Sequence, residues 1–400
     1  MIGDGWDGEP SVRPGEFPDP LPPPSPGVKR IAVVTGSRAD FGLLVPVMRA
    51  IHAHPGLELH VIAAGSHLVP PALTFRDVKR IFLVADAVPM QRSGRTTRHD
   101  DAESTGRGMA RFARGFQRIA PDWVMVLGDR IEAFAAASAA AIGGIALAHV
   151  HGGDRAEGVA DESMRHAITK LAHLHFAATP GSAQRIVRMG ERPEMVHVVG
   201  SPAVDGLDVV EPMGDEEAMG LGDPDTVLLM HPVGRVAEHE EAAAAATIEA
   251  LARAGRRVLA MDPNFDPGRE GIVRAIAASG LARITHLERG RFLSLLMRLA
   301  RTDGVMVGNS SAALIEGAAL RLPAVNIGPR QAGRERAGNV VDASAETAQE
   351  IGVALGRALA IDRIAITHPY GEGQAGRRIA ELLAMAPGVS ERLLRKRCVY

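Results

Sequence analysis

What most restricts the fold is a repeated order of short apolar run, glycine-bearing turn and helix-like segment. From Arg30 the chain reads IAVVTGS, then RADFGLLVPVMRAIHAH, then LELHVIAAGS, which is a βαβ unit. The runs WVMVLGD and IALAHVHG extend the same sheet, with an alanine-rich helix from about Ile131 between them, and LHFAATP and MVHVVGSP add two further strands. The order then restarts: TVLLMHP, RVLAMDPN, DGVMVGNS and PAVNIG alternate with helix-like segments around 240–254, 268–279 and 312–320. Such alternation predicts an α/β protein with two sheets, and 400 residues exceed what one core usually organises.

The expected division follows. Residues 1–27 form a flexible Pro/Gly-rich extension, because PDPLPPPSP restricts helix formation and offers little apolar periodicity. Residues 28–202 form a first Rossmann-like domain. Acidic residues, glycine and proline make 203–225 a linker. Residues 226–370 form a second Rossmann-like domain, and 371–400 a helical segment whose periodicity leaves open which domain it joins.

Chemistry gathers where strands end. In an open α/β sheet ligands bind beyond the carboxyl ends of the strands. There VMVLGDR places Asp129 and Arg130, and IALAHVHGGD places His149, His151 and Asp154; Asp161 and Glu162 open the next helix. Acids beside imidazoles, with no cysteine near, suit proton transfer. Asp161 also reads as a helix N-cap, and spacing does not say whether Arg165 or His166 faces the crevice. The turn from Thr35 to Asp40 opens a helix whose free N–H groups, with Arg38, suit an anion, although an ordinary βα turn fits the same residues. In the second domain Asn309, Ser310 and Ser311 form a strand-to-helix turn able to cradle a diphosphate, and Glu316 could accept both hydroxyls of a ribose. A serine cap with a solvent-facing glutamate is the plainer alternative. His231 follows TVLLM, where it either binds or protonates a departing phosphate as a catalytic residue or is a partly buried polar residue.

Several classes are excluded. A net charge of −2 without a basic block predicts no nucleic-acid or membrane partner. The only cysteine, Cys398, rules out an intrachain disulfide framework and fits a reducing cytoplasm. The apolar stretch 133–148 is interrupted by Gly143 and Gly144 and reads as a buried helix followed by a strand. The pairs His149/His151 and His173/His175 share strand faces but bring no third-ligand spacing, so no metal is expected. There is neither a GxGxxG nor a Walker loop.

The order of GSRAD at 36–40, LGDR at 127–130, HVHGGD at 149–154, the D-E-S-x-R-H-A-I-T-K-L-A-H-x-H run at 161–175, HP from 231, GNSS at 308–311 and NIGPRQAGR at 326–334 resembles the hydrolysing UDP-N-acetylglucosamine 2-epimerases of bacterial sialic-acid pathways. The resemblance spans residue 29 to the C-terminus. It implies a GT-B arrangement of two Rossmann-like domains, the nucleotide mainly on the second and the sugar in the cleft. It also implies elimination of UDP across C1 and C2, hydration of the resulting glycal to N-acetylmannosamine, no redox cofactor, and a homodimer or homotetramer. Position by position, Asp129, Asp154 and Asp161 match the acid/base carboxylates, while Arg38, Arg130, His231, Ser310, Ser311, Glu316 and Arg330 match nucleotide contacts. Asp154 departs from the pattern, since HGGE is common there and this carboxylate is one methylene shorter. Related enzymes take UDP-2,4-diacetamido-6-deoxy or GDP-linked sugars, and a glycosyltransferase or an inactive nucleotide-sugar sensor would share the broad fold; the three acids favour elimination and hydration.

Overall fold

The computed structural model describes residues 19–70, 72–93, 97–156, 161–264 and 266–399, without the side chain of Asp161. Its first sheet contains β1 (Lys29–Thr35), β2 (Leu57–Ala64), β3 (Val84–Val88), β4 (Trp123–Leu127), β5 (Ala146–Val150), β6 (Leu174–Ala177) and β7 (Val196–Val198). The second contains β8 (Thr226–Leu229), β9 (Val258–Met261), β10 (Ala282–Ile284), β11 (Val305–Gly308), β12 (Ala324–Ile327) and β13 (Val340–Ala343). The strand orders are β3-β2-β1-β4-β5-β6-β7 and β10-β9-β8-β11-β12-β13, and the pairing is parallel throughout. Helices cover both faces, which is why central strands such as β4 and β11 are continuously apolar.

Each sheet reverses its winding once, between β1 and β4 and between β8 and β11. A crevice opens beyond the strand ends at such a point. The chain places Gly36–Asp40 and Gly128–Arg130 at the first reversal and His231 and Asn309–Ser311 at the second. Gly308 is needed there for close approach: its φ is +139°, and a Cβ would overlap the Leu229 carbonyl oxygen of the neighbouring strand.

Several expectations change. β3, β10 and β13 escape the apolar-run reading because all three are sheet edges, with strand sequences VADAV, ARI and VVDA that carry charge. The helix expected over 312–320 is two short turns, Ser311–Leu314 and Glu316–Ala319, broken at Ile315. Most of the proline-rich extension lies outside the described residues, but its end is tied down: Leu21 N–H donates to the Arg118 carbonyl at 2.6 Å and Arg30 to that of Pro22 at 2.7 Å. Residues 203–225 are packed as well, since Ala203, Val204, Leu207, Met213 and Ala218 belong to the core beneath the second sheet.

The C-terminal segment returns to the first sheet. Helix Ala375–Met385 lies on helix Arg38–Ala53 and buries Ile379, Ala380 and Leu383 in the core that also holds Leu44, Val47 and Met48. Lys29 Nζ caps its far end through the Leu383 and Ala384 carbonyls at 3.1 and 2.7 Å. The outgoing and returning connections run side by side. Ser201 N–H donates to the Tyr370 carbonyl at 2.8 Å, and the Asp205 carboxylate accepts from the amides of Ala375 and Gly376 at 2.8 and 2.7 Å.

Candidate active site

The turn after β4 is set by a histidine that takes no charge. His149 is fully buried, its Nε2 lies 2.8 Å from the Gly128 carbonyl and its Nδ1 3.2 Å from the Thr169 hydroxyl. A carbonyl only accepts, so Nε2 carries the proton and Nδ1 accepts from Thr169. Burial pushes this imidazole down to about 3, which keeps it neutral. The next residue, Asp129, is ion-paired with Arg165.

Arg165, not His166, turns inward. It is 3% exposed and joins Asp129, the Glu162 carboxylate at 2.6 Å and the Asp154 carbonyl at 3.0 Å. Burial, then Arg334, Arg185 and Arg330, lowers its guanidinium to about 9, so it stays charged at neutrality. His166 stays at the outer side, 3.2 Å from Glu162. Asp161 is the first residue of helix Asp161–Leu171, and its side chain lies outside the described residues.

Beyond β5, His151 and Asp154 form a buried pair, Nδ1 to Oδ2 at 2.7 Å. The other ring nitrogen meets the Ser201 hydroxyl at 3.0 Å, and the Ser182 hydroxyl donates to the second Asp154 oxygen at 2.7 Å. Burial opposes ionisation of Asp154, but His151, Arg334 and Ser182 outweigh it and hold the carboxyl at about 2. His151 sits at φ +63°, a left-handed conformation that non-glycine residues hold where the surroundings enforce it. Both Asp154 oxygens are engaged, so the carboxylate orients His151 more readily than it could collect a proton.

The anion site expected at the first turn is partly self-occupied. Asp40 accepts from the amides of Gly36 and Ser37 at 2.8 Å each and from the Thr35 hydroxyl at 3.0 Å. Arg38 therefore remains as the turn's main offering to a ligand. Beneath it lies Glu132, 1% exposed, which accepts from the Gln91 amide at 3.0 Å and lies 3.7 Å from Arg130. A Cβ on Gly36 would come within 2.5 Å of the Glu132 side chain, and one on Gly65 would overlap it. Burial pushes the Glu132 carboxyl up to about 7.

Across the cleft, Asn309 fastens β11 to β8. Its amide carbonyl accepts from His231 N–H at 2.7 Å and its amide N–H donates to the His231 carbonyl at 2.8 Å. His231 Nδ1 accepts from the Asn264 amide at 3.1 Å, so the ring proton is on Nε2. Burial, reinforced by Arg330, pushes this imidazole down to about 3, which makes it a neutral donor. Ser310 caps the Ser311–Leu314 turn through Ala312 N–H at 3.3 Å. Arg330 and Gln331 both donate to the Asn309 carbonyl, at 3.2 and 2.9 Å. Glu316, 5% exposed, is paired with Arg289 at 3.1 Å, and Arg289 also holds the Ala203 carbonyl at 3.0 Å.

The two ends face each other. Arg130 Nη2 lies 3.6 Å from Asp266 on the loop after β9, while Arg185 meets Glu335 at 2.5 Å and Arg334 donates to the Arg155 carbonyl at 3.3 Å. Asp129, His151, Asp154 and Arg165 thus share one wall, with His231, Asn309–Ser311, Glu316 and Arg330 on the other. The second histidine pair is accounted for by protein partners: His173 accepts from Leu147 N–H at 3.1 Å and His175 meets Glu191 at 3.2 Å. Among the described residues no group of three His, Cys, Asp or Glu is placed to hold a metal ion, and no helix is long and apolar enough to cross a membrane.

This layout agrees with the comparison to known sequences. A family described as UDP-N-acetylglucosamine 2-epimerase matches residues 49–384. The chain belongs to that family. Among curated relatives, it is 35% identical to UDP-N,N'-diacetylbacillosamine 2-epimerase (hydrolyzing) of Legionella pneumophila, over 90% of this chain and 97% of the relative. It is 32% identical to a UDP-N-acetylglucosamine 2-epimerase of Neisseria meningitidis, over 80% and 85%. Among solved structures, the S. aureus MnaA–UDP co-structure superposes with a TM-score of 0.75 at 20% identity, covering 93% of this chain and all of that one. The N. meningitidis UDP-GlcNAc 2-epimerase bound to UDP-GlcNAc gives 0.73 at 19%, covering 89% and all. The fold is accordingly GT-B-like.

For this 2-epimerase family member, sequence reasoning missed Glu132, Asp266 and Arg289. Glu132 was legible in part, three residues beyond Asp129 at a helix start. Asp266 and Arg289 carry no local signal, because their partners Arg130 and Glu316 are 136 and 27 residues away.

Proposed function

We propose that the protein is a hydrolysing 2-epimerase that converts UDP-N-acetylglucosamine to N-acetylmannosamine and UDP. The observation that carries this is the meeting of the two walls at Arg130 and Asp266, which turns the acid-bearing end of the first sheet toward the cation- and hydroxyl-bearing end of the second. A carboxylate, either Asp129 of the first wall or Asp161, takes the C2 proton while the C1–O bond breaks and its electron pair leaves with UDP. Arg130, Arg330, Ser310 and the His231 Nε2–H stabilise the diphosphate charge as it develops. Water then adds its oxygen at C1 of the glycal and C2 receives a proton on the opposite face, giving the manno sugar. Asp154 keeps His151 oriented, with its short side chain braced by Ser182. Glu316 exchanges Arg289 for the ribose hydroxyls, and Arg38 reaches the diphosphate from the first turn. No metal or nicotinamide enters this chemistry.

The 35% identity to the Legionella enzyme favours a second reading, in which the sugar is a UDP-linked 2,4-diacetamido-6-deoxy hexose. Incubation with UDP-N-acetylglucosamine, its 2,4-diacetamido counterpart and the GDP-linked sugars, each with a chelator present, tests both. Free N-acetylmannosamine and UDP in equal amounts are expected. UDP-N-acetylmannosamine without free sugar refutes hydrolysis, and turnover of the diacetamido sugar alone selects the second reading.

A further inference from the structure

We infer that Asp266 is a placeholder anion, a carboxylate that holds the cations of the diphosphate site when no nucleotide is bound and speeds release of the nucleoside diphosphate by competing for them. The inference rests on the functional reading above and concerns the same site. Asp266 lies 3.6 Å from Arg130 and accepts a hydrogen bond from the Asn264 side chain, whose backbone amide sets the tautomer of His231. Arg130 and Arg330 act on its charge and Asn264 donates to it: burial opposes ionisation, but these outweigh it and keep the carboxyl below its ordinary range. A half-buried anion beside groups assigned to another anion cannot share them at no cost. The side chains of Asp266 and Arg130 are 27% and 32% exposed, so water and ligand reach the pair.

The competition favours the forward direction. In a nucleotide sugar each phosphate of the diphosphate carries one negative charge, whereas cleavage at C1 turns the terminal phosphate into a free one with additional charge. Repulsion from a fixed carboxylate therefore rises at the moment the product forms. Arg130, drawn back to Asp266, then leaves the diphosphate.

Asp266→Asn and Asp266→Ser, titrated with UDP, UMP and uridine by calorimetry, test this. UDP should bind both variants roughly tenfold more tightly than the parent, uridine should bind equally, and the gain should shrink as salt rises. Unchanged or weaker UDP binding by variants that melt like the parent overturns the inference, as does an equal gain for uridine. A parent that binds no UDP refutes the functional reading itself, a result separable from failure of the variants to tighten.

Discussion

Replacing Asp154 by asparagine removes a charge that the first wall is built to keep. The native carboxyl is held at about 2 against an ordinary 3.8, which corresponds to about 2 kcal/mol of native stability at neutral pH. Because the folded value is the depressed one, this contribution is full above pH 4, about half gone by pH 3 and mostly gone at pH 2. Asparagine keeps the acceptor for Ser182 but turns an N–H group toward His151 Nδ1, so the ring must change tautomer or shift. A displacement of order 1 Å at a reacting group lowers turnover roughly a hundredfold. Urea unfolding followed by Trp123 fluorescence, on the same sheet, measures the first effect at pH 7 and pH 3. Steady-state kinetics beside UDP titration measures the second. A variant with parental stability at pH 7 and the same loss between pH 7 and 3 refutes the buried His151–Asp154 coupling. Parental kcat refutes the orienting role.

Asp129→Asn should lower kcat far more than UDP affinity, and parental turnover in the folded variant removes Asp129 from proton transfer. Glu316→Gln and Ser310→Ala should each weaken UDP binding about ten- to a hundredfold in calorimetric titration; parental affinity in both makes the turn after β11 a purely structural feature. Glu132 has its folded value raised, to about 7, so the native state keeps a proton that the unfolded chain has already lost and stability falls as pH rises from about 4.5 to 7. Glu132→Gln should abolish that slope and stabilise the protein at pH 8 by about 3 kcal/mol, as read from urea midpoints at pH 5 and pH 8. An unchanged slope refutes the buried, protonated carboxyl.

Legibility from sequence followed burial and locality. Ten strands stood out, nine of them inside a sheet, where cover on both faces favours an apolar run; β7 (VHV) is the one edge among them, whereas the edges β3, β10 and β13 carry Asp86, Arg283 and Asp342 within them. The candidate acids were readable because strand ends at a winding reversal are the one place where an α/β sheet opens. What a side chain meets there was not. Asp154 looked like an acid/base and is occupied on both oxygens; Arg165 and His166 were equivalent by spacing until burial separated them. His149 shows the same limit, since its fixed neutral state depends on Gly128 and Thr169, each about 20 residues away.

The chain passes between the two halves twice, at Ser201 and again at Tyr370, and the passages are stitched together by Ser201–Tyr370 and by Asp205 with Ala375 and Gly376. A single tether would let one half swivel freely about the other. Two parallel tethers act as a door hinge: they leave one easy axis, along which the cleft widens or narrows, and resist rotation about the others. Because the second passage delivers Ile379 and Leu383 into the first half's interior, severing it would strip that half of part of its own packing. A fragment ending near residue 200 would therefore lack part of its own core, and a swing about this hinge would change how far Arg130 stands from the opposite wall.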